Sequence, residues 1–238
     1  MLVSLEKTAG NNAAGNVPPN TTEEVIYKLA VSMLDQSNKP FVISDLYQNS
    51  LQLGLSPQEV NACIYNLLKK KMLVEGSKLT RDAVIENSLR KNIVAYVNKN
   101  PGSIARDIRR EFNVDHAESK WHLQILEKFA FLRSKRIGKY LSFYPATLPE
   151  EHDVVLCYLR HDTAYRVFYD VFVNPNTTAG DIAQRLSINS TTVNHHLSKF
   201  SNTQLVYVSN GQGTPQAQYM VNNEVWTNLL EMAPGLSS

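Results

Sequence analysis

The chain has 238 residues, with 24 Lys and Arg against 22 Asp and Glu, and 43% of its residues are hydrophobic. This length exceeds one average domain, and this apolar content excludes a disordered composition. No apolar run is long enough for a membrane span, and the N-terminus lacks the charged-then-apolar order of a signal peptide, so we expect a cytoplasmic protein without a membrane partner. Cys63 and Cys157 stand apart in apolar helical contexts, which predicts small buried side chains rather than a disulfide or a zinc site.

Residues 1–21 are predicted to be a flexible leader, and residues 22–82 a winged-helix-like first domain. Helices are expected over Glu24–Leu34 and Ser44–Leu53, and Pro57 suits the first position of a third helix. A short hairpin is expected to follow, pairing Met72–Val74 with Ser77–Thr80.

Residues 83–148 are predicted to form a second domain. A helix over Leu89–Asn98 ends at Pro101, a second helix begins after Ser103, and a third is capped by Asp115. The hydrophobic period then changes, which predicts two strands joined at Ile137-Gly138, over Phe131–Arg136 and Lys139–Tyr144.

Residues 149–238 repeat this order as a third domain, and the repeat needs no gap. Short matches recur 74 residues apart: Asn100-Pro101 with Asn174-Pro175, Asp107-Ile108 with Asp181-Ile182, and His122-Leu123 with His196-Leu197.

The predicted elements of the third domain are helices over Val154–Phe172 and Ala179–Leu186, and a helix capped by Ser190 that runs through Phe200. Strands over Leu205–Val208 and Gln218–Val221 and a tail helix over Val225–Met232 complete it. The fold class expected is mainly α with small β-hairpins, arranged as tandem winged-helix domains.

Two stretches carry a resemblance to a known family. Asp107-Ile108, Val114, Trp121–Glu127 and Phe131-Leu132 form the first, and Asp181–Ala183, Leu186–Ile188 and Ser190–Leu197 form the second. They resemble the winged helix-turn-helix pattern of archaeal and bacterial ArsR- and MarR-type transcription regulators, over roughly residues 22–225. The resemblance implies a DNA-binding regulator without a cofactor, not an enzyme. ArsR-type metal sensing normally uses clustered cysteines, which this sequence lacks.

The resemblance also implies which residues meet double-stranded DNA, since the third helix of each unit would lie in the major groove. In the second domain its first residues are His116, Ala117, Ser119 and Lys120, and in the third domain they are Thr191, Thr192, Asn194 and His195. Phosphate contacts are expected from the cations of the second helix and the hairpin of the second domain: Arg106, Arg109, Arg110, Arg133, Lys135, Arg136 and Lys139.

Charge divides unevenly among the three domains. Residues 83–148 hold twelve Lys and Arg against six Asp and Glu, a net charge of +6, whereas residues 149–238 hold four against eight, a net charge of −4. The positive second domain favours phosphate binding. The neutral first and negative third domains favour an alternative, in which tandem winged helices form a protein-interaction scaffold like those of ESCRT-II or RNA polymerase accessory subunits.

Three further expectations concern histidines, catalysis and assembly. His122 and His196 occupy matching positions, and we expect core-edge side chains bonded to backbone rather than metal ligands. No GxxxxGK[ST], GxGxxG, GxSxG or HExxH motif is present, so no catalytic site is predicted. The aromatic residues of the third domain, among them Tyr169, Phe172 and Trp226, suggest a homodimer, unless its first and last helices cover each other. A protein partner at the first or third domain is the other alternative.

Overall fold

A computed structural model describes residues 21–37, 39–209 and 216–236. The predicted leader up to residue 20 and the loop Asn210–Pro215 lie outside the described residues. The chain forms two compact units, Met1–Thr80 and Arg81–Ser238, each with its own packing.

The first unit contains three helices, α1 (Thr22–Gln36), α2 (Ile43–Leu51) and α3 (Pro57–Lys69). Ser56 caps α3 in a reciprocal arrangement with Glu59, and Pro57 occupies the first turn as predicted. The helices enclose a small core that includes Ile26, Leu46, Val60, Leu67 and Leu73.

The hairpin predicted for the first unit is wrong, because no strand forms within residues 70–80. Two of the backbone groups that a hairpin would pair are used by Phe41 instead. Its N–H donates to the carbonyl of Ser77 at 2.7 Å, and its carbonyl accepts from the N–H of Gly76 at 2.8 Å. The segment therefore turns back against the start of α2 rather than pairing with itself.

The second unit begins with α4 (Arg81–Glu86) and then contains two modules of the same order. The middle module is α5 (Ser88–Lys99), β1 (Ser103–Ile104), α6 (Ala105–Phe112), α7 (His116–Lys128), β2 (Leu132–Ile137) and β3 (Tyr140–Pro145). The C-terminal module is α8 (Asp153–Leu159), α9 (Asp162–Val173), β4 (Thr177–Thr178), α10 (Ala179–Leu186), α11 (Ser190–Asn202), β5 (Val206–Ser209), β6 (Gln218–Val221) and α12 (Asn223–Met232).

Each module has one antiparallel three-stranded sheet, in the order β1-β3-β2 and β4-β6-β5. In the first sheet Phe143 pairs with Ser103 on one side and Ser134 on the other. In the second sheet Tyr219 pairs with Thr177 and Val208. The predicted fold class, mainly α with small hairpins, is confirmed. The two-residue strands β1 and β4 were not predicted.

The backbone repeats the 74-residue offset in detail. Left-handed residues end α6 and α10 at Asn113 (φ 51°) and Ser187 (φ 55°), and follow α7 and α11 at Ala130 (φ 52°) and Gln204 (φ 58°). A C-terminal residue with positive φ closes a helix by offering its N–H to a carbonyl one turn earlier. The tight αL turns are therefore part of the repeated unit.

Two details of the predicted elements are wrong. The helix expected over Val154–Phe172 is broken into α8 and α9, because the N–H of Arg160 bonds the carbonyl of Cys157 and His161 begins a new helix. Ser190 is the first residue of α11 and not its cap, since the side chain of Asn189 accepts the N–H of Thr191 at 2.8 Å. Thr178 caps α10, in a capping box with Asp181.

The two modules share a hydrophobic core. Ile137 and Tyr144 of the middle module belong to the same buried cluster as Leu156, Phe168 and Trp226 of the C-terminal module. Gly102 (φ 87°) allows this contact, because a Cβ there would lie 2.9 Å from the backbone of Leu156. Among the described residues, no helix has the length and hydrophobicity needed to cross a bilayer.

Candidate nucleic-acid interface

The middle module places α6 and α7 around a sharp turn at Asn113. The side chain of Asp115 caps α7 by accepting the N–H of Glu118 at 2.8 Å, so this carboxylate has a structural role at the helix start. Ile108, Leu123 and Leu126 are buried, which fixes the inward faces of both helices and leaves their polar faces in solvent.

Five of the predicted cations of this module are exposed: Arg106, Arg110, Lys120, Arg136 and Lys139. Arg106 and Arg110 are one turn apart on α6, and His116 and Lys120 are one turn apart on α7, so each pair shares a helix face. Within the described residues, Arg110, Lys120 and Arg136 lie in no ion pair, and Arg106 is 4.0 Å from the carboxylate of its neighbour Asp107. We call Arg106, Arg110, Lys120, Arg136 and Lys139 the cationic face.

Arg133 and Lys135 do not belong to the cationic face, which corrects the sequence prediction. Arg133 donates to both carboxylate oxygens of Asp153, at 2.8 and 2.7 Å, and to the carbonyl of Leu148. Lys135 lies 3.0 Å from Glu150 and 3.3 Å from Asp153. Because side chains alternate along β2, these two residues and Ile137 point toward α8 while Arg136 points away.

The Arg133–Asp153 pair links the two modules. The side chain of Asp153 is 0% exposed, and its backbone carbonyl accepts the hydroxyl of Tyr144 at 2.8 Å. Hydrogen bonds to Asp153 raise the pKa of the Arg133 guanidinium above its ordinary value. We name Arg133, Lys135 and Asp153 the intermodule latch.

Ser119 is also misassigned as a DNA contact, because it is 1% exposed and its hydroxyl has no hydrogen-bond partner among the described residues. The repeat offers a signal for this error. Ser119 corresponds to Val193 in the C-terminal module, which is fully buried in the core. Arg109 is half-buried, with its Nε atom enclosed.

His122 and Trp121 occupy opposite environments on α7. His122 is buried, and burial together with the nearby charge of Arg90 lowers its pKa. Its Nε2 lies 3.8 Å from Glu118 and its Nδ1 has no partner in the described part of the chain, so the predicted bond to backbone is wrong. Trp121 is 51% exposed, with the Arg90 guanidinium 5.6 Å from its ring centre.

The C-terminal module exposes Thr191, Asn194 and His195 at the start of α11, while Thr192 is half-buried. It offers fewer cations to solvent, because Arg185 makes a two-armed contact with Asp170 at 2.9 and 2.6 Å. Lys199 donates to the hydroxyl of Tyr158 at 2.9 Å. Two of the basic side chains of this module are thus engaged in contacts within the module.

Sequence reasoning missed two groups of residues. Asp153 gave no signal as the partner of Arg133, because the contact depends on how α8 packs on the hairpin. His161 and Lys199 line a cavity with Lys139 of the middle module. Within the described ranges, no three His, Cys, Asp or Glu side chains are arranged to hold a metal ion.

No protein-family model matches the chain. It is similar to an uncharacterised HTH-type transcriptional regulator of Methanocaldococcus jannaschii, with 33% identity over 181 residues. The match covers 70% of this chain and 44% of that protein, so the chain spans less than half the length of the relative.

Solved structures give weaker likenesses. ScpB from Mycobacterium tuberculosis covers 63% of this chain with a TM-score of 0.27 and 10% identity. A conserved hypothetical protein from Chlorobium tepidum covers 60% of this chain with a TM-score of 0.26 and 16% identity. A chain of the ESCRT-II endosomal trafficking complex covers 84% of this chain with a TM-score of 0.25 and 13% identity.

Proposed function

We propose that this protein is a transcription regulator that binds double-stranded DNA through tandem winged helices, residues 83–148 and 149–238. The observation that carries the proposal is the cationic face: five exposed basic side chains on α6, α7 and the hairpin of a module with a net charge of +6. The helix-turn-helix regulator with 33% identity supports the same function.

In this proposal the middle module supplies most of the affinity. The first turns of α7, with His116, Ala117 and Lys120, enter the major groove, and Arg106 and Arg110 meet the flanking phosphates. Arg136 and Lys139 on the hairpin contact the adjacent backbone. Because phosphate contacts release bound counterions, binding weakens steeply as salt rises.

The test compares two pairs of substitutions that remove equal charge. Arg110→Ala with Arg136→Ala removes two residues of the cationic face, and Lys91→Ala with Lys128→Ala removes two exposed lysines outside it. In fluorescence anisotropy on mixed duplexes, we expect the first pair to flatten the slope of log affinity against log salt by about 0.9 per lost phosphate contact. Equal slopes for the two double variants would reject the assignment.

The C-terminal module is proposed to contribute base contacts through Thr191, Thr192, Asn194 and His195. Asparagine is suited to this role because its amide pairs in two places with adenine. Asn194→Ala should therefore reduce the preference among sequences while leaving the affinity for mixed duplexes nearly unchanged. A uniform loss of affinity on every duplex would show that Asn194 has no part in base reading.

A protein-interaction function is favoured by a different observation, an apolar surface on α9. Trp226 of α12 packs on Phe168 with ring centres 4.5 Å apart, so these helices do cover each other in part. Tyr169, Phe172 and Val173 nevertheless remain 51%, 43% and 49% exposed. Tyr65 is exposed on α3 of the first unit, and a protein partner that binds there is the alternative to a partner at α9.

We propose that the α9 surface seals a homodimer, since regulators commonly double their site by twofold symmetry. Light scattering at micromolar concentration should give twice the chain mass of 26.8 kDa, and Tyr169→Lys should return the monomer value. A mass near 26.8 kDa for the unchanged chain would reject the dimer.

A further inference from the structure

A cavity of about 440 Å³ lies where the hairpin of the middle module faces α11 of the C-terminal module. The hairpin contributes residues 137–140, the start of α9 contributes His161 and Ala164, and α11 contributes Thr192 and Lys199. Small-molecule sites in proteins typically enclose about 300–1,000 Å³. The cavity is therefore large enough for a small organic ligand.

The polar lining of this cavity is basic. It contains two lysines and three histidines, and none of the described residues that line it carries a carboxylate: the basic groups are Lys139, Lys199, His161, His195 and His196. The two lysines come from different modules, and neither lies in an ion pair within the described ranges. Basic side chains that line one cavity in this way suit a phosphate or carboxylate.

Aromatic rings form the remaining walls. The Tyr140 ring lies 4.6 Å from the His161 ring, with Lys139 Nζ 5.2 Å from the Tyr140 ring centre. Lys199 lies 4.7 Å from the Tyr158 ring centre while bonding its hydroxyl. These contacts hold both ammonium groups beside flat apolar surfaces, where a planar ligand could stack next to its own anionic group.

From this lining we infer that the cavity between the hairpin and α11 binds a small anion that carries a planar ring. The occupant would touch Thr192 and His195, two of the residues proposed to read bases. A bound ligand and a DNA duplex would then compete for the start of α11. The inference goes beyond the proposed function, because the binding itself requires no DNA.

The histidines predict how binding depends on pH. Burial lowers the pKa of His196, and the nearby His195, His161 and Lys199 lower it further. Burial also lowers the pKa of His161. Arg106 and Lys139 lower this pKa further, whereas Asp107 raises it. Both rings are therefore mainly neutral at pH 7 when the cavity is empty. An anion favours the protonated ring, so the binding of a carboxylate, which stays ionised over this range, takes up protons and should tighten as the pH falls from 7.5 to 6.

Calorimetry on the full chain with AMP and with benzoate tests the inference, and adenosine serves as the uncharged control. We expect at least one of the two anions to bind and adenosine not to bind. Lys199→Met, which keeps the aliphatic stem, should weaken binding about tenfold by removing a charge-assisted hydrogen bond. Lys91→Met, outside the cavity, should change nothing. Lys139→Met on the exposed hairpin provides a second variant if Lys199→Met does not fold.

Histidine ring signals in NMR locate the ligand and distinguish its source. The His161 and His196 signals should move with AMP or benzoate, and their pKa values should rise. Failure of both anions to bind at millimolar concentration would overturn the inference, as would binding that Lys199→Met and Lys139→Met leave unchanged. If a duplex moves these signals and neither small anion does, the cavity is a contact site for DNA phosphates and the inference is wrong.

Discussion

Removing the negative charge of the intermodule latch should destabilise the second unit without touching the cationic face. Asp153→Asn keeps the shape of the side chain but leaves the Arg133 guanidinium, 20% exposed, beside an amide, with Lys135 at its edge. Breaking one partner of a buried ion pair typically costs about 3–5 kcal/mol, because the remaining charge stays buried. We expect a loss at the lower end of this energy range, because Arg133 keeps its hydrogen bond to the Leu148 carbonyl at 2.8 Å.

A loss of about 3 kcal/mol lowers the unfolding midpoint of a unit of this size by about 10 °C. Tryptophan fluorescence is the suitable assay, because both tryptophans of the chain, Trp121 and Trp226, lie in the second unit. The matched control is Glu150→Gln, which removes the exposed partner of Lys135 and should leave the midpoint almost unchanged.

A double substitution separates the structural role of Arg133 from DNA binding. Arg133→Met with Asp153→Leu replaces the pair by apolar side chains and should recover most of the lost stability. Because the Arg133 guanidinium is already bonded to Asp153 and to the Leu148 carbonyl, this double variant should bind duplexes as tightly as the unchanged chain. The reasoning is refuted if Asp153→Asn unfolds at the same temperature as Glu150→Gln.

Three further predictions concern Gly102, Ser119 and three histidines of the second unit. Gly102→Ala should lower the unfolding midpoint strongly, because φ is 87° and the added Cβ would lie 2.9 Å from the backbone of Leu156. Gly138→Ala should lower the midpoint less, because φ is 58° and the added Cβ meets no neighbouring atom. Equal losses of midpoint in the two variants would contradict the close approach at Gly102. Ser119→Ala should leave stability unchanged or raise it by about 1 kcal/mol, since it removes a buried hydroxyl without a partner; reduced duplex affinity would show instead that Ser119 contacts DNA. The stability of the second unit should fall as the pH drops below the ordinary histidine pKa of 6.5. Burial lowers the pKa of His122, His161 and His196, so below this pH the unfolded chain binds more protons than the folded chain. Urea titrations at pH 7.5 and 5.5 measure the free energy of unfolding, and equal values at the two pH values would contradict the pKa shifts.

The order of elements in the second unit could be predicted because two local signals agree. Hydrophobic period and turn residues mark each helix, and the 74-residue offset repeats the same pattern in an independent stretch of sequence. The strands β1 and β4 escaped prediction because two residues carry no period. Their positions are fixed by pairing with β3 and β6, which are distant in sequence.

The candidate site was less predictable, because a charge pattern does not say which side chains a neighbouring module will cover. Arg133 and Arg136 look equivalent in the sequence, yet α8 packs over one side of the hairpin and leaves Arg136 exposed on the other. In the first unit, the Met72–Thr80 segment has turn and strand residues, but Phe41 takes two of its backbone bonds. Both errors come from contacts between segments far apart in the chain.

The most direct test of DNA binding by the cationic face is the salt dependence of duplex affinity for the unchanged full chain. Fluorescence anisotropy with mixed-sequence duplexes, from 50 to 200 mM salt, gives the slope of log affinity against log salt. Five phosphate contacts predict tight binding at low salt and a slope of about −4.5. Absence of binding at 50 mM salt, or an affinity that does not change with salt, would contradict the proposal and favour the protein-interaction function.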